Sequence, residues 1–276
     1  MNKFLRSPKK TILPVILLAS LLITQKPALA WRDSGHQTVA LIAQDHVKPE
    51  TKKKIDQILG SDTGLDKVSI CADDIKHNPV NCANKFQLGK RVETHAWHYI
   101  NIPLSEKNPT VESIQKYCKN DDCINSQIKN TITILHNKDS SKLEKQTALM
   151  FLVHFIGDIH QPLHCIDDND RGGNDKVIWL YSNKPNDYTN LHSLWDNIIE
   201  DKIDSATLTK NLEKDISTKK DLSKWLSGDT DEWVLESYNI GKDLIYPDFN
   251  KNGGHLNKSY QRKMRAIAYQ QIEKGG

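Results

Sequence analysis

Residues 154–164 read HFIGDIHQPLH, and the rest of the sequence can be interpreted outward from this stretch. An α-helix turns about 100° per residue, so His154 and Asp158 project from one face, about 6 Å apart along the axis. The preceding residues 147–153 are apolar enough for a buried helix, where an imidazole beside a carboxylate is costly unless paired or metal-bound. Pro162 ends the helix and turns His164 away. The stretch predicts a metal site, with a His–Asp pair satisfied in the core as the alternative.

The same four-residue spacing recurs at His192 and Asp196. Each pair offers one nitrogen and one oxygen ligand from one helix face, which suits Zn²⁺. The candidate ligands number five histidines and three aspartates: His36, His98, His154, His164, His192, Asp73, Asp158 and Asp196. Structural zinc sites usually close four ligands, often cysteines, around one ion. A larger set without thiolates favours a multinuclear catalytic site with open positions.

The first thirty residues have the pattern of a secretory signal peptide. A positive segment is followed by an apolar run over residues 11–24 and by Ala28-Leu29-Ala30, a small-x-small cleavage site. An uncleaved membrane anchor is the alternative, but the run is shorter than the roughly 20 residues that a spanning helix needs. Cleavage after Ala30 makes Trp31 the new N-terminus, and we expect the mature protein to be secreted or periplasmic.

The expected mature chain does not have a large net positive charge. Of the 38 Lys and Arg residues, five lie in residues 1–30, so 33 remain against 35 acidic residues. Nothing in this balance argues for nucleic acid as such, and an anionic substrate must be bound locally. The remaining 246 residues suffice for one sizeable domain, which we assign to residues 31–276.

Five cysteines in an exported chain predict up to two disulfides and one remaining thiol. Cys118 and Cys123 are close enough to close a small loop, and Cys71 with Cys82 is the other local option, although spacing does not prove connectivity. Cys165 follows His164 directly. A buried free thiol is the preferred interpretation of Cys165, with a metal ligand as the alternative.

Helical periodicity dominates the mature chain and predicts one all-α domain with at most a small β-hairpin. The stretch Lys176 to Tyr181 has the clearest strand pattern, and residues 93–103 are expected to be extended or to end a helix. Loops are expected at residues 78–84 and 167–175. The predicted helices cover residues 39–46, 48–59, 70–76, 110–117, 124–136, 142–160, 205–216, 219–227, 229–245 and 257–274, and a further helix is expected to begin with residues 191–196.

Several motifs together resemble one known family, the S1/P1 zinc-dependent single-strand nucleases. They are Trp31-x-x-x-x-His36, Ala72-Asp73-x-x-Lys76, WHYIN at residues 97–101, the 154–164 stretch, Gly172-Gly173-Asn174, and NLHSLWD at residues 190–196. The match runs from Trp31 to the last predicted helix, and all nine ligand positions of the family are present. The resemblance implies a trinuclear zinc cluster in a cleft of a helical domain.

The resemblance also distributes the ligands among three zinc ions. The first set is Asp73, His98, His154 and Asp158; the second is His164, His192 and Asp196; the third is His36, Asp158 and the amine and carbonyl of Trp31. Asp158 then bridges two ions. Only a free, deprotonated chain end can ligate through its amine, so signal cleavage acquires a chemical role. Trp31 as an ordinary buried aromatic residue is the alternative.

A mechanism follows from that implied cluster. Because one Zn²⁺ brings bound water to a pKa of about 7, zinc-bound hydroxide can attack phosphorus while another zinc stabilises the departing 3′-oxygen. The products carry 5′-phosphates. Asp73, Asp158 and Lys76 are the expected catalytic residues. Lys76, one helical turn from Asp73, is placed to neutralise phosphoryl charge, and its alternative is a solvated surface lysine.

Three positions are expected to bind the nucleobase. By the resemblance, Tyr99 stacks on an unpaired base, Asn101 hydrogen-bonds to it, and Asn174 makes a second contact; Tyr99 as ordinary core is the alternative. Stacking tolerates any base but requires it unpaired, which favours single strands. Asn101 stands where the fungal members have Asp, so base preference is expected to shift. His95 and His160 match no ligand position, and hydrogen-bonding or surface roles are expected for them.

The preferred function is therefore a zinc-dependent endonuclease and 3′-nucleotidase acting on single-stranded RNA and DNA. No stable protein partner is implied, and no membrane association after signal cleavage. A zinc phospholipase C is the first alternative, although it typically has Glu where this chain has Asp196. A non-enzymatic zinc-binding protein is the second, although storage favours exposed His-rich tracts. The chain ends at Gly275-Gly276, where relatives usually continue, so a shortened C-terminus is expected.

Overall fold

A computed structural model describes residues 31–77, residue 82, and residues 94–180, 188–199, 203–220, 222–225 and 227–276. The predicted signal peptide and most of the predicted 78–84 loop lie outside the described residues. The helices are α1 Asp33–His46, α2 Pro49–Leu59, α3 Leu65–Val68, α4 Cys71–His77, α5 Val111–Ile114, α6 Ile124–His136, α7 Lys142–Ile159, α8 Leu191–Asp196, α9 Ser205–Ile216, α10 Leu222–Trp225, α11 Thr230–Ile240, α12 Tyr246–Asn252 and α13 Lys258–Gly275. The all-α prediction is confirmed.

Helix α7 is central because its capping and composition fix it in the interior. Ser141 accepts a hydrogen bond from the Glu144 backbone N–H, and the Glu144 side chain accepts one from the Ser141 backbone N–H, a capping box. The helix then buries Met150, Phe155 and Ile159 completely. It packs against α6, α1, α3 and α4. Since Pro162 lacks a backbone N–H, the chain leaves the α-helix after Ile159 and forms a single 3₁₀ turn, Pro162–His164.

A small sheet flanks the helices. Its strands are β1 Val177–Leu180, β2 Tyr188–Asn190 and β3 His255–Leu256, in the order β2-β1-β3. The antiparallel β1–β2 pair is the expected hairpin, whereas β3 adds a parallel strand from much later in the chain. Local pattern does not predict β3, because two residues carry no period and the pairing is non-local. Strand β2 runs directly into α8, so the sheet fixes the start of that helix.

Some predicted elements differ from the observed ones. In the segment expected to be extended or helix-ending at residues 93–103, the described residues form a 3₁₀ turn, His95–His98, followed by extended backbone at Tyr99. The long helix predicted at 229–245 passes into a π turn, Gly241–Ile245. Helix α10 covers only part of the predicted 219–227. Short elements that patterns did not predict, such as α3 and α12, contain too few residues for a period to register.

The pairing of the cysteines agrees with the local options that the sequence offered. Cys71 pairs with Cys82, and Cys118 pairs with Cys123. Cys165 is a buried free cysteine, and burial raises the pKa of its thiol far above the ordinary value. Within the described ranges, helices that are long and apolar enough to cross a bilayer do not occur.

Candidate metal centre

The centre is built around two buried side chains of α7. His154 and Asp158 lie one helical turn apart and are both 0 % exposed. His154 Nε2 lies 3.2 Å from Asp158 Oδ2, so the two side chains meet as their spacing predicts. Three groups of imidazole and carboxylate atoms assemble on this helix and around it, each with its atoms within 4.8 Å of one another.

The first group joins α7 to α4 and to the 3₁₀ turn before Tyr99. It contains Asp73, His98 and His154. His98 Nδ1 lies 3.2 Å from His154 Nε2 and 3.9 Å from Asp73 Oδ1. Asp158 Oδ2 completes the group, 2.9 Å from His98 Nδ1. Four potential ligand atoms from three chain segments therefore surround one point.

The second group brings α1 against the other side of the same carboxylate. It contains His36, His154 and Asp158. His36 Nε2 lies 3.3 Å from Asp158 Oδ1, and the His36 ring stacks on the His154 ring with centroids 3.9 Å apart. This approach requires glycine at position 157, because a Cβ there would lie 2.6 Å from His36 Nδ1. The two oxygens of Asp158 thus face different imidazoles.

The third group lies where the chain leaves α7 and where α8 begins. It contains His164, His192 and Asp196, all buried. The Nε2 atoms of His164 and His192 are 3.2 Å apart, and Asp196 Oδ1 lies 3.8 Å from His192 Nε2. The second His-x-x-x-Asp pair of the sequence therefore forms a group of its own, completed by the histidine beyond Pro162.

Backbone carbonyls orient most of these imidazoles. The Nδ1–H groups of His154, His164 and His192 donate to the carbonyl oxygens of Ser69, His98 and Gly172, over 2.6, 2.6 and 2.7 Å. A ring that donates from Nδ1 presents the lone pair of Nε2 in its neutral form. In its neutral form, each of these rings therefore directs a lone pair at its group, the usual arrangement of metal-binding histidines.

Electrostatics around Asp158 favour a positive charge. Burial alone would lower the pKa of His154, but the carboxylates of Asp158 and Asp73 raise its pKa to about 9. Burial opposes ionisation of Asp158, yet His154 holds the pKa of Asp158 well below its usual range. Burial lowers the pKa of His36, which keeps this second imidazole neutral. The carboxylates therefore favour a positive charge at His154 Nε2, either a proton or a metal cation in its place, beside the neutral ring of His36.

The structure places Trp31 beside the groups and leaves the Lys76 side chain undescribed. Trp31 is fully buried next to Gly35, and the N–H of the following Arg32 donates to the carbonyl of Asp196 over 3.2 Å. The segment that includes Trp31 and Arg32 is thus joined to α8. Lys76 lies in α4, three residues after Asp73, but its side chain is outside the description.

Two of the three predicted base-binding residues, Tyr99 and Asn101, follow the candidate ligand His98, and the third, Asn174, lies in the glycine turn. Tyr99 follows His98 and is 37 % exposed, and Asn101, two residues on, is exposed as well. The intervening Ile100 donates its backbone N–H to the His164 carbonyl over 2.8 Å, which fixes this segment against the third group. Asn174 is half-buried in the glycine turn, and its side chain donates to the Arg171 carbonyl.

Sequence reasoning missed residues that hold candidate ligands in place from outside the groups. Gln161 is fully buried, donates to Asp196 Oδ1 over 2.7 Å and accepts from the Leu163 backbone N–H. Asp170, also buried, accepts from the Gly173 backbone N–H and the Tyr246 hydroxyl and so stabilises the turn whose Gly172 carbonyl orients His192. Their spacing to the ligands has no helical period that a pattern could reveal. The prediction of a hydrogen-bonding role for His160 is in keeping with its ring nitrogen, 2.8 Å from the Ile156 carbonyl.

Comparisons of the sequence with a family model and with individual proteins point to the same family. The family model described as S1/P1 Nuclease matches residues 31–276. Endonuclease 4 of Arabidopsis thaliana is 34 % identical, over 66 % of this chain and 58 % of the relative. Endonuclease 2 of the same plant is 27 % identical over 96 % of this chain and 93 % of its own length. Nuclease S1 of Aspergillus oryzae is 30 % identical over 74 % and 67 %, respectively. The alignments span only 58 % and 62 % of the lengths of endonucleases 4 and 3.

Proposed function

The chain belongs to the S1/P1 nuclease family, and on that premise we propose that it is a zinc-dependent endonuclease and 3′-nucleotidase. It hydrolyses single-stranded RNA and DNA and leaves 5′-phosphates. The observation that carries the proposal is the convergence of three His/Asp groups. Two of them share His154, and Asp158 contacts the histidines of both, His36 through one oxygen and His98 through the other. During hydrolysis of a phosphodiester, negative charge is distributed over several oxygens at once. Adjacent cations can stabilise that charge together.

The distances between ligand atoms support zinc. Two ligands about 2.05 Å from one tetrahedral zinc are about 3.3 Å apart. The observed pairs are close to this value: 3.2 Å for His98 with His154, 3.2 Å for His164 with His192, and 3.3 Å for His36 with Asp158. Nitrogen and carboxylate donors without thiolates are also a set that zinc accepts.

The chemistry of two of these contacts also fits a cation. His164 and His192 both donate from Nδ1, so their neutral rings direct lone pairs at each other, a repulsion that a shared cation removes. His36 Nε2 and Asp158 Oδ1 are buried, and neither completes a well-directed hydrogen bond with any residue of the described ranges. Buried polar atoms without a well-directed hydrogen bond are rare in folded proteins, and coordination of a metal ion would satisfy both of these atoms.

The residues of the chain hold and orient the reacting groups. When bound, zinc supplies Lewis-acid stabilisation of phosphoryl charge and lowers the pKa of water to about 7. Asp158 spans two groups with its two oxygens, and Asp73 completes the first group. The buried walls exclude bulk water, which strengthens each electrostatic contact there. Lys76, on the helix of Asp73, neutralises charge on the phosphoryl oxygens.

Recognition of a single strand falls to Tyr99, Asn101 and Asn174. The half-exposed Tyr99 ring follows a ligand of the first group, and its segment is hydrogen-bonded to a ligand of the third. A base stacked there would place its neighbouring phosphate near both. In extended backbone, side chains two residues apart share a side, so Asn101 can contact the edge of that base. Paired bases do not expose a face for such stacking.

Export and processing belong to the same proposal. Residues 1–30 are removed as a signal peptide, the mature protein is secreted or periplasmic, and the freed Trp31 amine and carbonyl join His36 and Asp158. Support comes from the burial of Trp31 and from the Arg32 hydrogen bond to Asp196, which hold this end of the chain against α8.

The direct test offers the purified mature protein three substrates: a single-stranded RNA, a DNA duplex and phosphatidylcholine. We expect rapid cleavage of the RNA to 5′-phosphate products, little cleavage of the duplex, and none of the lipid. A chelator should abolish activity, and added Zn²⁺ should restore it. Cleavage of the lipid alone would favour a phospholipase, and binding of zinc without any hydrolysis would favour a storage role; either result contradicts the proposal.

A further inference from the structure

The first half of α13 carries a cationic pocket that none of the predicted site residues line. Lys258, Gln261, Arg262 and Arg265 line an open cavity of about 370 Å³. Positions three, four and seven apart lie on one face of a helix, so the three cations are neighbours. The mature chain has 33 basic and 35 acidic residues, so this local concentration is not a by-product of an overall positive charge.

Two of the three cations lack counter-charges within the described ranges. Lys258 and Arg262 form no ion pair or side-chain hydrogen bond with any residue there, and both are exposed. The adjacent Lys263, in contrast, lies 2.9 Å from Asp248 Oδ2. Like charges four residues apart destabilise a helix, so an anion between them would stabilise this face. Arginine and lysine side chains in a concave site are typical phosphate-binding groups.

The pocket is connected to the metal groups through a short path. Arg265 Nε donates to the carbonyl of Ile198 over 2.9 Å, and Ile198 lies two residues beyond Asp196. On the same helix, Tyr260 is buried together with Trp195, the residue before Asp196. An anion in the pocket would therefore lie on a helix that is in direct contact with the segment carrying Asp196 of the third group.

One member of an exposed aromatic pair lies a few residues along the chain from the first residue of the pocket. Trp179 of β1 is 43 % exposed, and the His255 ring of β3 lies nearly parallel to it, with an interplanar angle of 15° and centroids 6.2 Å apart. His255 precedes Lys258 by three residues, so their Cα atoms are within about 10 Å. Exposed rings beside a basic groove are the combination that single-stranded nucleic acids bind, bases on the rings and phosphates on the cations.

We propose that Lys258, Arg262 and Arg265 bind a backbone phosphate of the substrate strand outside the catalytic cluster, while Trp179 and His255 stack its bases. This inference rests on the proposed function and adds a second contact region for long strands. A dinucleotide at the metal groups has only one internucleotide phosphate, so it has no further backbone phosphate for this region. The contact therefore acts on affinity for long substrates and not on the chemical step.

The test compares a single-stranded 20-mer with a dinucleotide, using the zinc-loaded mature protein. Arg262→Glu should raise KM for the 20-mer about tenfold and lower the slope of log(kcat/KM) against log[salt] by about 1. Its kcat, and all constants for the dinucleotide, should stay within about twofold. Arg262→Lys should retain most of the affinity, since it keeps the charge. Trp179→Ala should raise KM for the 20-mer with little change in the salt slope.

Lys53→Glu is the matched control, because Lys53 is an exposed cation on α2. If Lys53→Glu changed the 20-mer constants as much as Arg262→Glu does, the effect would come from the overall charge of the protein and the inference would be wrong. Equal losses on the dinucleotide and the 20-mer would likewise overturn it. Failure of the unaltered protein to cleave either substrate would instead overturn the proposed function, and the inference with it.

Discussion

The carboxylate of Asp158 faces two imidazoles that stack on each other: Oδ1 is 3.3 Å from His36 Nε2, while Oδ2 is 3.2 Å from His154 Nε2. Because Oδ2 is also 2.9 Å from His98 Nδ1, this one side chain contacts two of the three groups. Its replacement should affect both together, which distinguishes a bridging ligand from an ordinary buried aspartate.

Asp158→Asn should lower kcat/KM on single-stranded RNA about 10³-fold or more, because an amide lacks the charge that two cations share. The bound zinc should fall by more than one ion per chain, measured by mass spectrometry of the elements. Asp175→Asn is the control, since Asp175 forms an exposed pair with Arg171 and such pairs contribute little. Loss of no more than one ion would contradict bridging.

Gln161→Ala should weaken the third group without removing a ligand. It deletes the hydrogen bond to Asp196 Oδ1 and the acceptor of the Leu163 N–H. Outer partners of metal ligands typically account for 10–100-fold in affinity or activity, so we expect a loss of about that size. Competition with a chelator measures it. An unchanged zinc affinity in a folded variant would show that Asp196 needs no such support.

Retention of Ala30 before Trp31 should reduce activity by about 10-fold or more, because a peptide nitrogen cannot replace a free amine as ligand. Two preparations that differ only in this residue are compared for turnover and zinc content. The extended form should bind one zinc fewer. Equal turnover and equal zinc content in both preparations would rule out ligation by the chain end.

Glu273 on α13 should make stability depend on pH. Both of its carboxylate oxygens are buried, and although Lys219 lies 3.5 Å away, burial together with the nearby Asp215 raises the pKa of Glu273 to about 7. The folded state therefore favours the protonated acid. The corresponding stability is present below pH 4.5 and is lost as pH rises through about 7.

Glu273→Gln should flatten this dependence and raise the free energy of unfolding at pH 8 by about 1–3 kcal/mol relative to the unaltered protein. Urea denaturation between pH 5 and 8 measures the effect. Glu50→Gln, at an exposed position of α2, is the control. Parallel curves for the unaltered and Glu273→Gln proteins would show that Glu273 ionises normally in the folded state.

The sequence alone identifies the parts of the site that depend on helical spacing. His154 with Asp158 and His192 with Asp196 follow from a four-residue period, and the structure brings each pair together. The periodicity of α7 and its Ser141 cap are equally local. The assignment of ligands to three ions came from the family resemblance, because no spacing relates His36 to Asp158.

The remaining features arise from contacts between distant segments. Gln161 meets Asp196 only because α8 returns against the end of α7, and strand β3 pairs with β1 across more than seventy residues. The need for Gly157 also emerges only from the approach of the His36 ring. Such relationships depend on tertiary packing, which neither residue type nor period encodes.

The most direct test of the account is the zinc content of the mature, active protein after extensive dialysis. Three ions per chain are predicted, with activity lost when a chelator removes them and restored when zinc returns. Full activity in protein that contains no transition metal would contradict the account at its centre.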